Sequence, residues 1–128
     1  MASLFELEQP TFGRSTTGKI VVAGADAATS LTAAQCIESI ITVTPTTGRA
    51  YTTATAAAII AALGDTVKVG QTFEVTVVNL AGSTAVLTFT PNADTKLLLV
   101  GSGAVPHGTS ATFIGRVTAA DAVTFFRS

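Results

Sequence analysis

The chain of 128 residues has few of the side chains on which most enzyme chemistry depends. It contains one histidine, one cysteine and no tryptophan, and charged residues make up 12% of it, whereas a soluble domain ordinarily has about 25%. A Ser–His–acid triad would have to use His107, with Ser102 or Ser110 as the nucleophile. The Gly-x-Ser-x-Gly spacing of a nucleophile elbow is missing around Ser102. We therefore expect that the protein is not an enzyme.

The sequence also lacks the patterns that bind metals, cofactors and phosphate groups. Cys36 and His107 are too far apart for a zinc motif, and the acidic residues are dispersed. Asn92 and Asp94 come closest to an oxygen cluster, and a turn explains them more simply. The Gly18-Lys19 pair is not followed by the Ser or Thr of a phosphate-binding loop. We expect no metal, no cofactor and no small-molecule substrate.

Long apolar runs and clusters of basic residues are absent as well. The longest small apolar run, residues 54–63, is shorter than the roughly 20 residues that span a bilayer. The seven basic residues are scattered from Arg14 to Arg127, which argues against a nucleic-acid groove or a membrane surface as partner. The start of the chain carries acids rather than the basic region of a signal peptide. One cysteine excludes an internal disulfide bond.

Threonine and alanine dominate the composition, with 23 and 22 residues, and the net charge is −1. Threonine is β-branched and favours strands. A surface that is rich in Thr, Ala and Gly costs little to dehydrate, and low net charge favours association. These properties favour assembly with other protein chains over a free monomer.

Alternating apolar residues predict a mainly β domain in the second half of the chain. Phe73, Val75 and Val77 are expected to point inward from one strand, and Val123 and Phe125 from the last one. Further strands are predicted over residues 40–44, 85–90, 97–100 and 111–117. Short strands separated by turns predict an antiparallel β-sandwich or a barrel-like domain. No internal repeat is apparent.

Two short helices are also predicted, one before the strand at residues 40–44 and one after it. Thr32 and Gln35 form a capping box, with Leu31 and Cys36 at the staple positions. The second helix covers residues 54–63, with Thr53 as its N-cap and Gly64 at its end. Because this helix is apolar on nearly every side, we expect it to be buried on more than one side, in a homotrimer.

Much of the chain resembles small virion structural proteins of tailed phages. The resemblance covers residues 31–127 and rests on Leu31-Thr32-Ala33-Ala34-Gln35, Ile40-Ile41, Thr44-Pro45, Tyr51-Thr52, Thr55-Ala56-Ala57-Ala58-Ile59, Gly70-Gln71-Thr72-Phe73 with Val77 and Asn79, Ser110-Ala111-Thr112-Phe113 and Phe125-Phe126-Arg127. It implies a protein of the capsid surface that is made in the host cytoplasm, commonly as a trimer, without catalytic residues. Its partners would be its own copies and the major capsid protein.

The resemblance leaves two functions open. The first is a decoration or cement subunit that binds the capsid shell and stabilises it. The second is a head-fibre or tail adhesin module that binds a host-surface receptor. An adhesin is expected to present aromatic and polar side chains in its loops. The long loop at residues 101–108 offers Ser102 and His107, which favours the cement role.

Residues 1–30 are predicted to be an extended N-terminal arm, and residues 31–128 the assembly domain. The arm has little periodicity but contains four large apolar residues, namely Leu4, Phe5, Leu7 and Phe12. Apolar residues on an extended segment are a liability unless a partner covers them. We therefore expect these four residues to contact the capsid or a neighbouring subunit.

Overall fold

A computed structural model of the protein describes residues 19–128, so Leu4, Phe5, Leu7 and Phe12 lie outside the described residues. The described part contains ten strands and two helices. In chain order they are β1 (Ile20–Ala23), β2 (Thr29–Ser30), α1 (Ala33–Glu38), β3 (Ser39–Val43), β4 (Arg49–Thr52), α2 (Ala56–Leu63), β5 (Thr72–Asn79), β6 (Leu87–Thr90), β7 (Leu97–Val100), β8 (Ala104–Val105), β9 (Ser110–Ala119) and β10 (Ala122–Arg127).

The strands form two sheets that pack face to face. The larger sheet has the order β1-β3-β5-β9-β10-β7, and the smaller sheet has the order β2-β4-β6-β8. The Phe89 ring of the smaller sheet stacks on the Phe113 ring of the larger sheet, with centroids 4.2 Å apart. The prediction of a mainly β, sandwich-like domain with two short helices is therefore confirmed.

Strand pairing is mixed, which corrects the expectation of an antiparallel sandwich. Strands β1, β3 and β5 run parallel in the larger sheet, and β2, β4 and β6 run parallel in the smaller one. Strand β9 pairs antiparallel with both β5 and β10. The parallel pairs arise because successive strands alternate between the two sheets, so that each sheet receives every second strand in the same direction.

This alternation builds three stacked coils, each with one strand in the larger sheet and one in the smaller. The first two coils end in the helices α1 and α2, whose N-caps are Thr32 and Thr55. The third coil ends in a loop, where the Asp94 carboxylate accepts the Ala56 N–H at the start of α2 at 3.0 Å. The sequence did not reveal this repeat because its spacing is irregular. Ile20 pairs with Ser39, which is 19 positions further along the chain, whereas Thr29 pairs with Tyr51, which is 22 positions further.

The first coil lies within the segment that was predicted to be an arm. Strands β1 and β2 pair with β3 and β4, so the predicted boundary at residue 30 falls inside the folded domain. The Gly24 N–H donates to the Thr42 carbonyl at 2.7 Å, and the buried Tyr51 hydroxyl donates to the Ala25 carbonyl. A Cβ at Gly24 would overlap that hydroxyl. Pairing with the second coil therefore orders a stretch that has little propensity of its own.

The helices differ in how well the sequence predicted them. The capping box of α1 is confirmed, since the Thr32 Oγ1 accepts the Gln35 N–H and the Gln35 side chain accepts the Thr32 N–H. Helix α2 ends at Gly64 as predicted, but its N-cap is Thr55 rather than Thr53. Its residues Ala56, Ile59 and Leu63 are buried, while four of its alanines are exposed. Within one chain the helix is covered on one side, not on several.

The predicted inward residues form the core. Phe73, Val75 and Val77 are buried, as are Val123 and Phe125. The apolar run at residues 97–100 is an edge strand rather than a fully buried one, because β10 pairs with one of its sides and no described strand pairs with the other. Leu97 of this strand is buried, whereas Leu98 and Val100 are exposed.

Candidate interaction surface

Among residues 19–128, no hydrogen bond joins His107 to Ser102 or Ser110. His107 is exposed in the loop before β9. The Ser102 hydroxyl accepts the Ala104 N–H at 3.1 Å, and Ser110 lies opposite Val78 in the β5–β9 ladder. Across residues 19–128, no group of three or more His, Cys, Asp or Glu side chains is placed to hold a metal ion.

Cys36 is fully buried in the core, and this burial raises the pKa of its thiol to about 11. The thiolate is the reactive form of cysteine. We expect the native protein to react with a thiol reagent about a hundredfold more slowly at mildly alkaline pH than the unfolded chain does.

We also expect His107→Ala to leave folding and assembly unchanged. Fast labelling of the native thiol, or loss of assembly in the His107 variant, would contradict this assignment of purely structural roles.

The carboxylates with perturbed pKa values have structural partners. Hydrogen bonds from the backbone N–H groups of Lys96 and Ala56 lower the pKa of Asp94. Hydrogen bonds from the Arg49 side chain and from Thr46 lower the pKa of Asp26, which joins the turn of the first coil to that of the second. Both carboxylates therefore hold turns and coils in place, as the turn interpretation of Asn92 and Asp94 predicted.

The most unusual surface is the outward side of the larger sheet, which we call the outer face. Alternate residues of each strand point away from the core, as the register and the burial pattern show. The outer face consists of Val21 and Ala23 on β1, Ile40 and Thr42 on β3, Thr72, Glu74, Thr76 and Val78 on β5, Ser110, Thr112, Ile114 and Arg116 on β9, Thr124 and Phe126 on β10, and Leu98 and Val100 on β7.

Half of the sixteen residues of the outer face are apolar, every strand contributes at least one of them, and several of the polar side chains already have partners. Ile114 and Phe126 lie opposite one another in its middle, and apolar residues also occupy both edge strands. Thr76 and Thr112 hydrogen-bond to each other across the strands, with their hydroxyl oxygens 2.9 Å apart. The Glu74 carboxylate is paired with the Lys19 ammonium group. A partner could therefore exclude water from these parts of the face without leaving polar groups unpaired, whereas the exposed side chains of Thr72, Ser110 and Arg116 would need new partners or continued contact with water.

The outward side of the smaller sheet has a different composition, although it belongs to the same sandwich. Its residues are small or hydroxylated, namely Ser30, Ala50, Thr52, Thr88, Thr90 and Ala104. In a sheet with one side in solvent, residues along each strand ordinarily alternate, with apolar residues pointing to the core and polar residues pointing to solvent. The smaller sheet approaches this pattern and the larger one departs from it, so the outer face is the stronger candidate for a protein interface.

Two further features adjoin the outer face. Strands β1 and β7 are its two edges, and they expose Ile20, Val21, Leu98 and Val100 by 71%, 63%, 57% and 48%. At the end of β5 there is a shallow groove of about 380 Å³. Its lining residues are Val78, Asn79, Leu80, Gly108, Thr109 and Ser110, and none of them is charged. The groove therefore adds an uncharged surface of mixed polar and apolar character beside the outer face.

Comparisons of the chain with protein-family models, with curated proteins and with solved structures found no match. In the part of the chain that the structure describes, no helix is long and apolar enough to cross a bilayer. The geometry and chemistry of the surface therefore carry the functional argument.

The sequence contains a signal for the outer face that the analysis of alternation overlooked. Apolar residues occur as adjacent pairs in several strands, namely Val21-Val22, Ile40-Ile41, Val77-Val78, Phe113-Ile114 and Phe125-Phe126. Neighbouring residues in a strand point to opposite sides of the sheet. Each pair therefore places one apolar side chain in the core and one on the outer face. The pairs occur in five of the six strands of the larger sheet.

Proposed function

We propose that the protein is a virion structural protein, a homotrimeric decoration or cement subunit that binds the shell of the major capsid protein and stabilises it. The observation that carries the proposal is the outer face, a six-stranded surface with an apolar side chain on every strand, on a small and weakly charged domain. The resemblance of residues 31–127 to virion proteins of tailed phages supplies the setting. The outer face supports the part of the proposal that concerns assembly.

The segment before β1 is suited to the contact with the shell. Residues 1–18 contain Leu4, Phe5, Leu7 and Phe12 and join the domain at Lys19, beside an edge strand. Eighteen extended residues reach up to about 60 Å, at roughly 3.3 Å per residue. An extended segment can add to a sheet edge of a partner through backbone hydrogen bonds. This division gives the segment to the shell and leaves the outer face for contacts between copies.

Deleting residues 2–18 is expected to abolish binding to capsid shells and to leave the domain folded and oligomeric. The deletion stops before Ile20 because β1 pairs with β3. Co-sedimentation with empty shells that lack the protein would measure binding, while circular dichroism and sedimentation velocity would check fold and oligomeric state. A second variant replaces Leu4, Phe5, Leu7 and Phe12 with serine and keeps the length of the segment. It should bind as poorly as the deletion if these four side chains make the contact. Tight binding of both variants would overturn the assignment of shell binding to this segment.

The alternative role as a head-fibre or tail adhesin predicts a different outcome in the same system. Shells of a cement protein should resist heat less well when the protein is removed, and particle adsorption to the host should be unchanged. Removal of an adhesin should reverse this pattern. The described loop between β8 and β9 presents His107 and Thr109 and no aromatic side chain, so we favour the cement role.

A further inference from the structure

We infer that the outer faces of three copies enclose a common threefold axis, with β1 of each copy beside β7 of the next. The inference rests on the homotrimer in the proposed function and assigns its interface to a surface. The sequence had placed the interface on helix α2. That helix offers a stripe of exposed alanines and no large apolar side chain beyond the half-buried Ile60.

The size of the outer face fits an interface between copies. Six strands at about 4.8 Å spacing are about 24 Å across, and the outward residues of β5 extend over about 20 Å. The flat area is therefore about 500 Å², and side chains together with the adjoining groove enlarge it. A stable interface buries about 800 Å² on each partner. In a ring each copy shares this face between two neighbours, so the face and its two edges approach this area in total and not in each contact. The outward side of the smaller sheet lacks large apolar residues.

Three such faces fit around one axis. Viewed along the axis, three outer faces of about 24 Å form an equilateral triangle whose centre lies about 7 Å from each side. Packed sheets are about 10 Å apart, so the side chains of each sheet ordinarily extend about 5 Å from it. Large residues near the middle of the face, such as Ile114 and Phe126, extend far enough to fill most of the remaining space. The three sheets would then form a prism whose interior combines apolar side chains with hydroxyl groups and a small number of charged side chains.

The two edge strands distinguish a trimer from a face-to-face dimer. Both edges of the larger sheet carry exposed apolar residues, Ile20 and Val21 on β1 and Leu98 and Val100 on β7. In a face-to-face dimer these edges would stay open. In a closed ring the β1 edge of one copy meets the β7 edge of the next, which is a heterologous contact that closes after three steps. The ring therefore gives both exposed edges a partner of matching chemistry.

The charges of the outer face are also compatible with this arrangement. Glu74 lies opposite Ile114, and Arg116 lies opposite Thr72, so the two charges are diagonal neighbours. No ion pair of Arg116 occurs among residues 19–128. In a threefold assembly all copies point the same way, so a layer of three Arg116 side chains lies about 7 Å along the strands from a layer of three Glu74 side chains. Each guanidinium group can then reach the Glu74 carboxylate of a neighbouring copy, which it would share with Lys19.

Cross-linking of edge cysteines tests the arrangement directly. Native Cys36 is buried and unreactive, so introduced cysteines are the only reactive thiols. The double variant Val21→Cys/Val100→Cys, treated with a short bis-maleimide, is expected to give covalent dimers and trimers on a denaturing gel. Each single variant should give almost none, because each edge meets the other edge and not its own copy. Efficient cross-linking of a single variant would instead indicate a twofold dimer and overturn the ring.

A pair of lysine substitutions tests the face itself. Thr112→Lys places three like charges near the proposed axis. It should raise at least tenfold the protein concentration at which half of the trimers dissociate, as measured by sedimentation. Thr88→Lys, on the outward side of the smaller sheet, is the matched control and should leave it unchanged. If the trimer tolerates Thr112→Lys and dissociates with Thr88→Lys, the protein is a trimer but its interface is not the outer face, and the inference is overturned. A monomeric wild-type protein would overturn the trimer, while the shell-binding assay would still test the remainder of the proposed function.

Discussion

Phe73→Ala is expected to lower the free energy of unfolding by about 3–5 kcal/mol, the range for truncation of a buried aromatic residue. The Phe73 side chain is buried between the sheets and meets Phe125 edge-on, with ring centroids 5.7 Å apart. Urea denaturation followed by circular dichroism measures the change. Val69→Ala, at a position that is 63% exposed, is the control and should change the stability by less than about 0.5 kcal/mol.

The same site offers a test of the packing geometry. Gly115 on β9 lies opposite Phe73, and a Cβ at this glycine would overlap the Phe73 ring. Gly115→Ala is therefore expected to cost about 1–3 kcal/mol as an overpacking change. In a Phe73→Leu background the same substitution should cost clearly less, because the ring that it displaces is gone. Additive effects of the two changes, or a loss below about 1 kcal/mol for Phe73→Ala, would place Phe73 elsewhere.

Asn79→Ala is expected to destabilise the protein by about 3–5 kcal/mol through the loss of hydrogen bonds to buried groups. The Asn79 side chain is 1% exposed. Its Nδ2 donates to the carbonyls of Ala85 and Val105, both at 2.9 Å, and its Oδ1 accepts the Ala81 N–H at 3.0 Å. It thereby ties the end of β5 to the following loop and to β8. Truncation leaves two carbonyl groups and one N–H group without their partner.

Two companion variants show whether the hydrogen bonds cause the effect. Asn79→Asp keeps the size of the side chain but directs a buried carboxylate at two carbonyl oxygens, so it should destabilise at least as much as the alanine variant. Asn92→Ala is the surface control, because its half-buried Nδ2 makes a single 3.3 Å hydrogen bond to the Thr53 carbonyl. It should cost less than about 1 kcal/mol. Equal losses for the alanine variants at both asparagines would contradict the special role of Asn79.

The sequence predicted those parts of the fold that local patterns determine. Alternation on β5 and β10 predicted their inward residues, and the Thr32–Gln35 capping box predicted the start of α1. Thr53 was the wrong N-cap of α2 because three threonines lie close together before this helix. Propensity alone does not distinguish which of them accepts the N–H of the first turn. In the structure Thr53 is buried and its hydroxyl accepts the Asn92 N–H at 3.0 Å instead.

Features that depend on pairing between distant segments could not be predicted in this way. Strands β2 and β8 have two residues each, which is too short for a periodic signal. The ladder with β3 orders β1, although its four residues read equally well as an apolar stretch of an arm. The outer face was missed for a related reason. An adjacent apolar pair such as Phe125-Phe126 indicates that one apolar side chain points outward, but which outward side chains share one face depends on the strand pairing.

The stack of parallel coils also bears on how chains of this kind can vary in length. Each coil pairs with the coil before it and the coil after it through two parallel ladders, one in each sheet. Whole coils can therefore be gained or lost with limited disturbance of their neighbours. Here the third coil is fixed by the antiparallel β9–β10 hairpin, whereas the first coil ends both parallel ladders with β1 and β2. For the fold of a single copy, insertions of complete strand–strand–helix units are therefore best tolerated before β1, and in the proposed ring the added outermost strand would then take the place of β1 beside β7. The hairpin side, which carries Asn79 and the stacked phenylalanines, has to keep its length.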